Sequence, residues 1–231
     1  MGRNYDSTRP LEDALTYLPR KPVQQFAKRA VVYDRGTPGS GLHLLVFGRL
    51  KISHCEDGPP TVTRIVTSEG LFGESSLIGA QNRGETAIAL DDSGVMTWSR
   101  GEIEQHVERE PRLGIALSQF LVQRLMELQD RIESMAIRKT PERVMLALVQ
   151  LAGAVGTPMS DGSTRLASLT HHTISEYVGT SREIVTFEMN RLRRKGLLRY
   201  SRKHIDIHAD LIREVGYGSG TPHEATVGSG V

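Results

Sequence analysis

A chain of 231 residues that is 38% hydrophobic has the apolar content for a real core in one or two domains, and its formal net charge is only +2. The single cysteine excludes an internal disulfide and a four-cysteine iron–sulfur cluster. No apolar run approaches the ~20 residues of a membrane helix, and the polar start, Met1 to Pro10, lacks the apolar stretch of a signal peptide. A cytoplasmic protein without a membrane partner is therefore expected.

After an N-terminal segment, residues 1–22, the chain turns glycine-rich. Between the glycines lie short strand-like runs at 30–33, 42–47, 49–52, 62–66, 86–90 and 95–98. Many short strands with turns at such spacing predict a sandwich, barrel or jelly roll. Cys55 reads as a structural thiol. From Arg100 to Arg138 the glycines thin out and a helical period takes over. Leu121, Leu125, Leu128, Ile132 and Met135 recur at alternating spacings of four and three, an a/d seam that Leu117 and Ser118 extend upstream. Gln123, Arg124, Glu127, Asp130 and Arg131 keep the stripe narrow, which favours a two-helix dimer over a helix lying on its own β domain. Thr140-Pro141 then opens another helix as N-cap and first-turn proline.

The stretch Leu169–Leu198 carries the most information. A short apolar-patterned segment (Ile174, Tyr177, Val178) reaches Gly179, which tolerates the positive φ of a tight turn. Thr180 with Glu183 three residues on reads as a capping box. Val185, Met189 and Leu192 form the buried stripe of the next helix. Arg182, Glu183, Thr186, Phe187 and Asn190 are left facing outward, a set of groups suited to base edges in a major groove. Between Arg182 and Lys203 there are eight Arg/Lys against two Glu, a local +6 suited to phosphates. Gly196 ends the helix. Residues 197–200 and 205–207 read as strands of a hairpin wing whose tip, 201–204, carries Arg202 and Lys203. Thr170, His171 and Ser181, at the helix starts, complete the expected DNA contacts. Residues 216–231, rich in Gly, Ser, Thr and Pro, read as an unstructured tail.

This order of parts resembles the Crp-Fnr superfamily of bacterial transcription regulators over roughly residues 23–213. The signatures are Gly70-Leu71-Phe72-Gly73-Glu74-Ser75 and Gly179-Thr180-Ser181-Arg182-Glu183-Ile184-Val185. The resemblance implies an α+β chain: a jelly-roll-like β-roll resembling cyclic-nucleotide-binding domains (23–111), a long dimerisation helix (112–138) and a C-terminal winged helix-turn-helix (139–215). It implies a homodimer on a pseudo-palindromic operator in double-stranded DNA, with RNA polymerase as a further partner. Arg182 would read guanine and Glu183 would accept from cytosine. A third base-reading position, usually arginine in the family, falls on Phe187, which suits a thymine methyl. The half-site is thus expected to be related to, but not identical with, the family's TGTGA and TTGAT.

In nucleotide-binding relatives a Gly-Glu pair holds the ribose and an Arg-Ser/Thr-Ala further on holds the cyclic phosphate. Gly73 and Glu74, followed by Ser75, match the first, and Thr86-Ala87 match the end of the second. Glu85 stands at the arginine's place, where a carboxylate would repel phosphate. A regulator not gated by cyclic AMP is therefore expected, with no certain cofactor. The alternatives are a nucleotide-gated regulator using Gly73, Glu74 and Thr86, and a ligand-binding module without DNA function. The scattered histidines form no metal pattern, His43 being at most a candidate haem ligand. No nucleophile or paired-carboxylate motif suggests an enzyme.

Overall fold

The computed structural model describes residues 11–55, 58–79, 82–201 and 203–216. Arg202 and the expected tail from residue 217 on lie outside the described residues, as does the N-terminal segment up to residue 10. Packing divides the chain into two units, residues 11–137 with 175–179, and residues 138–174 with 180–216.

The first unit opens with eight strands: β1 (Gln24–Phe26), β2 (Val31–Tyr33), β3 (Leu42–Phe47), β4 (Arg49–His54), β5 (Thr61–Thr67), β6 (Leu71–Phe72), β7 (Thr86–Ala89) and β8 (Ser93–Trp98). They form two antiparallel sheets, ordered β1-β8-β3-β6 and β2-β7-β4-β5. Strand alternation turns one row of side chains inward, so Leu45, Leu50, Ile52, Val66, Phe72, Ala87 and Val95 make one buried cluster. This is the expected β-roll. β1 and β6 escape the sequence pattern because a strand of two or three residues is defined by its partner, not by a period of its own.

Ser99 starts helix α1 (Arg100–Arg109) with a capping box. Its hydroxyl accepts from the Glu102 amide at 3.3 Å, and the Glu102 carboxylate accepts from the Ser99 amide at 2.8 Å. Pro111 then begins helix α2 (Pro111–Ile137). Leu113, Ala116 and Leu117 sink into a second cluster with Leu42, Leu71, Trp98 and Ile103. Beyond them the apolar residues of α2 turn outward: Leu121, Leu125, Leu128, Ile132 and Met135 are exposed, and so are Val122 and Met126.

The second unit comprises α3 (Thr140–Val155), β9 (Thr157–Pro158), β10 (Thr164–Ala167), the first turn of α4 (His171–Val178, whose last four residues fall to the first unit), α5 (Arg182–Arg194), β11 (Leu198–Tyr200), β12 (His204–Ile207) and α6 (Ala209–Gly216). The wing is a four-stranded sheet, β11-β12-β10-β9, rather than the two-stranded hairpin expected. Its inward residues Leu166, Leu198, Ile205 and Ile207 are buried, as are Val144 and Leu148 of α3 and Val185, Met189 and Leu192 of α5. The start of α3 differs by one residue from the expected cap. Lys139, not Thr140, is the N-cap, and its amide donates to Glu142 at 3.4 Å.

Candidate nucleic-acid interface and effector pocket

α5 projects its outer face through three local devices. Gly179 adopts φ +70, so the chain turns sharply after α4. Ser181 at φ −81, ψ 154 is the N-cap, accepting from the Ile184 amide at 3.3 Å. This corrects the capping box expected from Thr180: the turn consumes Thr180 as well as Gly179. At the other end, Gly196 at φ +75 donates to Arg193 and Leu197 donates to Leu192, a Schellman closure.

Arg182, Glu183, Thr186, Phe187 and Asn190 line one shallow groove of about 410 Å³, so the five expected residues do share a face. Their chemistry is less uniform than the sequence suggests. Arg182, Glu183 and Phe187 are exposed. The Glu183 carboxyl is held below its ordinary range, first by its own backbone amide and then by the Ser181 hydroxyl, so it is an acceptor at neutral pH. The Thr186 hydroxyl donates to the Arg182 carbonyl at 2.9 Å and sits 2.9 Å from His171 Nδ1. Asn190 Oδ1 accepts from the Tyr200 hydroxyl at 3.0 Å, leaving its amide hydrogens and one oxygen lone pair for an incoming group.

His171 is engaged within its own unit. Burial, and then Arg182, lower its pKa and favour the neutral ring. With Thr186 donating to Arg182, Nδ1 carries the proton toward Thr186. Nε2 is then the acceptor nitrogen of the neutral ring. The His171 ring meets Tyr200 edge-on at 5.5 Å. The exposed Thr170 caps α4: its hydroxyl accepts from the Thr173 amide at 3.0 Å. Tyr200 and His171 thus hold the side chains of α5 in place, a role that sequence spacing cannot reveal because the partners are 10 and 15 residues apart. Positive charge surrounds the face. Arg193, Arg194, Lys195, Arg199 and Lys203 are exposed, while Arg199 also meets Asp161 at 3.1 Å.

The expected effector residues lie around the end of β6. Gly73 adopts φ +78, and a Cβ there would stand 2.7 Å from both Arg83 Nη1 and His43 Cδ2. The space beside Gly73 is filled by Arg83, which is 2% exposed. Its guanidinium donates to the carbonyls of Gly73 (3.0 Å) and Gly41 (2.8 Å), lies 2.8 Å from His43 Nε2 and stacks 4.1 Å over the Tyr33 ring. Arg83 therefore reaches inward, and its guanidinium is committed to the fold. The neighbouring carboxylates are committed too. Glu85 accepts from the Tyr33 hydroxyl at 2.7 Å, and Glu74 pairs with Arg124 of α2 at 3.6 Å. The Thr86 hydroxyl donates to Asp34 at 2.6 Å. Ser75 is half-buried in the 3-10 turn that follows.

His43 packs against Tyr33 and Phe72, whose own rings meet at 6.0 Å, and uses both ring nitrogens, Nδ1 toward Thr97 at 2.8 Å and Nε2 toward Arg83. Burial first, then Arg83, push its pKa down to about 3. It has no nitrogen left for a haem iron. Among the described residues no group of three His, Cys, Asp or Glu is placed to hold a metal, and no helix is long and apolar enough to cross a membrane. Cys55 is exposed, its thiol 3.0 Å from the Gly58 carbonyl.

A β-roll, a long helix and a winged helix-turn-helix with a basic reading face define a class, the DNA-binding transcription regulators. Comparison with known proteins agrees. Residues 23–110 match the cyclic nucleotide-binding domain family, and residues 142–209 match the Crp-like helix-turn-helix domain family. The transcriptional regulator SdrP of Thermus thermophilus is 32% identical over 184 residues, spanning 78% of this chain and 86% of SdrP. The global nitrogen regulator of a Nostoc species is 26% identical over 189 residues, 80% of this chain and 85% of that protein. A crystal structure of a CRP/FNR-family transcriptional regulator, also from Thermus thermophilus, superposes with a TM-score of 0.68 at 26% identity, covering 84% of this chain and 100% of that one. The chain belongs to the Crp-Fnr family of transcription regulators.

Proposed function

We propose that this regulator binds a pseudo-palindromic operator as a homodimer, and that its β-roll is held by its own side chains rather than gated by cyclic AMP. The observation that carries the operator reading is the outer face of α5, where an unburied guanidinium and an ionised carboxylate stand together within a field of arginines. Arg182 suits guanine O6 and N7, Glu183 suits cytosine N4, and the flanking cations suit phosphates. Exposed apolar residues along α2, from Leu121 to Met135, support pairing of two copies. They span about 21 Å of helix at 1.5 Å per residue, and leaving such a stripe in water is unfavourable. Two α5 helices one DNA turn apart, about 34 Å, would then read two half-sites. A contact with RNA polymerase rests on family membership alone.

Independence from cyclic nucleotide is supported by what surrounds Gly73. A nucleotide entering there must displace a guanidinium held by two carbonyls, and its phosphate would meet Glu85 and the Asp34–Thr86 pair instead of a free cation. These residues do not fit a cyclic phosphate. The test is operator selection from randomised DNA with the purified protein, with and without cyclic AMP. One palindrome recovered equally in both arms is expected. Enrichment only with the nucleotide would refute the pocket reading, and no enrichment in either arm would refute DNA reading by α5.

A further inference from the structure

We infer that Phe187 makes this protein a reader of pyrimidine 5-methyl groups, so that one position in each half-site favours a methyl on its base. The inference rests on the operator reading above and specifies what the centre of α5 recognises. At 100° per residue, Val185, Met189 and Leu192 point within about 20–40° of the direction opposite Phe187. These three are fully buried, so Phe187 points directly away from the core of the unit. It is 60% exposed, and no ring contact involves it among the described residues. Glu183 lies four residues before it, Asn190 three after and Arg194 seven after, all along the same stripe. A helix inserted by the middle of this stripe puts the ring on the floor of the groove, not on the phosphates at its rim.

The groups beside the ring leave it the central position. Thr186 is turned toward Arg182 and His171, and the Asn190 carbonyl toward Tyr200, so both are partly engaged within the unit. A phenyl ring offers no hydrogen bond, so it distinguishes base pairs only by an apolar feature. The major-groove edge of standard base pairs has one such feature, the C5-methyl of thymine. 5-Methylcytosine presents the same methyl in the same place on a C·G pair. The ring therefore treats thymine and 5-methylcytosine as favourable, and uracil and unmodified cytosine as unfavourable.

The experiment uses the full chain and the operator recovered by selection. Each thymine of the half-site is replaced in turn by deoxyuridine, which removes only the methyl, and each cytosine by 5-methylcytosine. Affinity is read by fluorescence anisotropy at fixed salt. Burial of one methyl corresponds to about fourfold per half-site and about fifteenfold for both. The expected result is one position per half-site with that dependence on deoxyuridine, 5-methylcytosine restoring affinity where a C·G pair is placed there. Phe187→Ala should abolish the dependence while retaining selective binding through Arg182 and Glu183. Selective binding with a flat deoxyuridine scan, or a methyl dependence that survives Phe187→Ala, overturns the inference alone. Absence of any selective binding overturns the inference together with the reading beneath it.

Discussion

Replacing Arg83 by alanine removes the group that ties the β-roll together around Gly73. The guanidinium satisfies the carbonyls of Gly73 and Gly41 and faces His43 Nε2, all within 3.0 Å, and lies over Tyr33. Three buried acceptors left without a donor cost about 1–3 kcal/mol each. The lost cation–π contact adds about 1–2 kcal/mol. Water entering the vacated space re-satisfies part of this, and relief from burying a cation offsets more. A net loss of about 3–4 kcal/mol is expected, a large share of a typical domain's stability. The sole tryptophan, Trp98, is 1% exposed in the same unit, so its fluorescence follows unfolding of the β-roll in urea. With a slope of about 2 kcal/mol per M, the midpoint should fall by about 1.5–2 M. Arg83→Lys keeps the charge but cannot span both carbonyls, and should fall between the two. A midpoint for Arg83→Ala within about 0.5 M of the parent would refute the assignment of Arg83 as the internal occupant of the pocket.

His43 gives the β-roll a pH dependence. Its folded pKa of about 3 lies below the unfolded value near 6.5, so the unfolded chain takes up the proton first as pH falls. The stability present above pH ~6.5 is therefore lost progressively toward pH ~3, at a limiting slope of about 1.4 kcal/mol per pH unit. Urea midpoints of His43→Gln should show a shallower slope across that window than the parent, and equal slopes would refute the reading. Arg182→Ala should cost about 1–3 kcal/mol on the selected operator and relax the preference at one base pair, whereas Lys203→Ala should weaken all sequences alike and reduce the salt slope by about one. An unchanged base preference in Arg182→Ala would remove that residue from base reading. Leu125→Asp with Ile132→Asp places two carboxylates on the exposed stripe of α2, and sedimentation should show monomer where the parent is dimer. A dimer persisting at micromolar concentration would mean that another surface joins the copies.

The faces of α5 were legible in the sequence because a helical period reports which side is buried whatever it is buried against. Val185, Met189 and Leu192 turn inward as their spacing requires. The longer strands were legible as short apolar runs set between glycine turns, and β3, β4 and β5 fall on those runs. The apolar stripe on α2 could be read too, although Val122 and Met126 widen it beyond one seam. Which hydroxyl caps α5 depended on how many residues the turn at Gly179 consumes, a matter of backbone geometry. The direction of Arg83, the ion pair of Glu74 with Arg124, and the commitment of Thr186 and Asn190 to His171 and Tyr200 were decided only by the tertiary structure. Each joins groups far apart in the chain, and a hydrogen bond between distant residues leaves no period in the sequence. The sequence by itself determined which residues face outward on α5. Tertiary structure decided which of them are left free to touch something else.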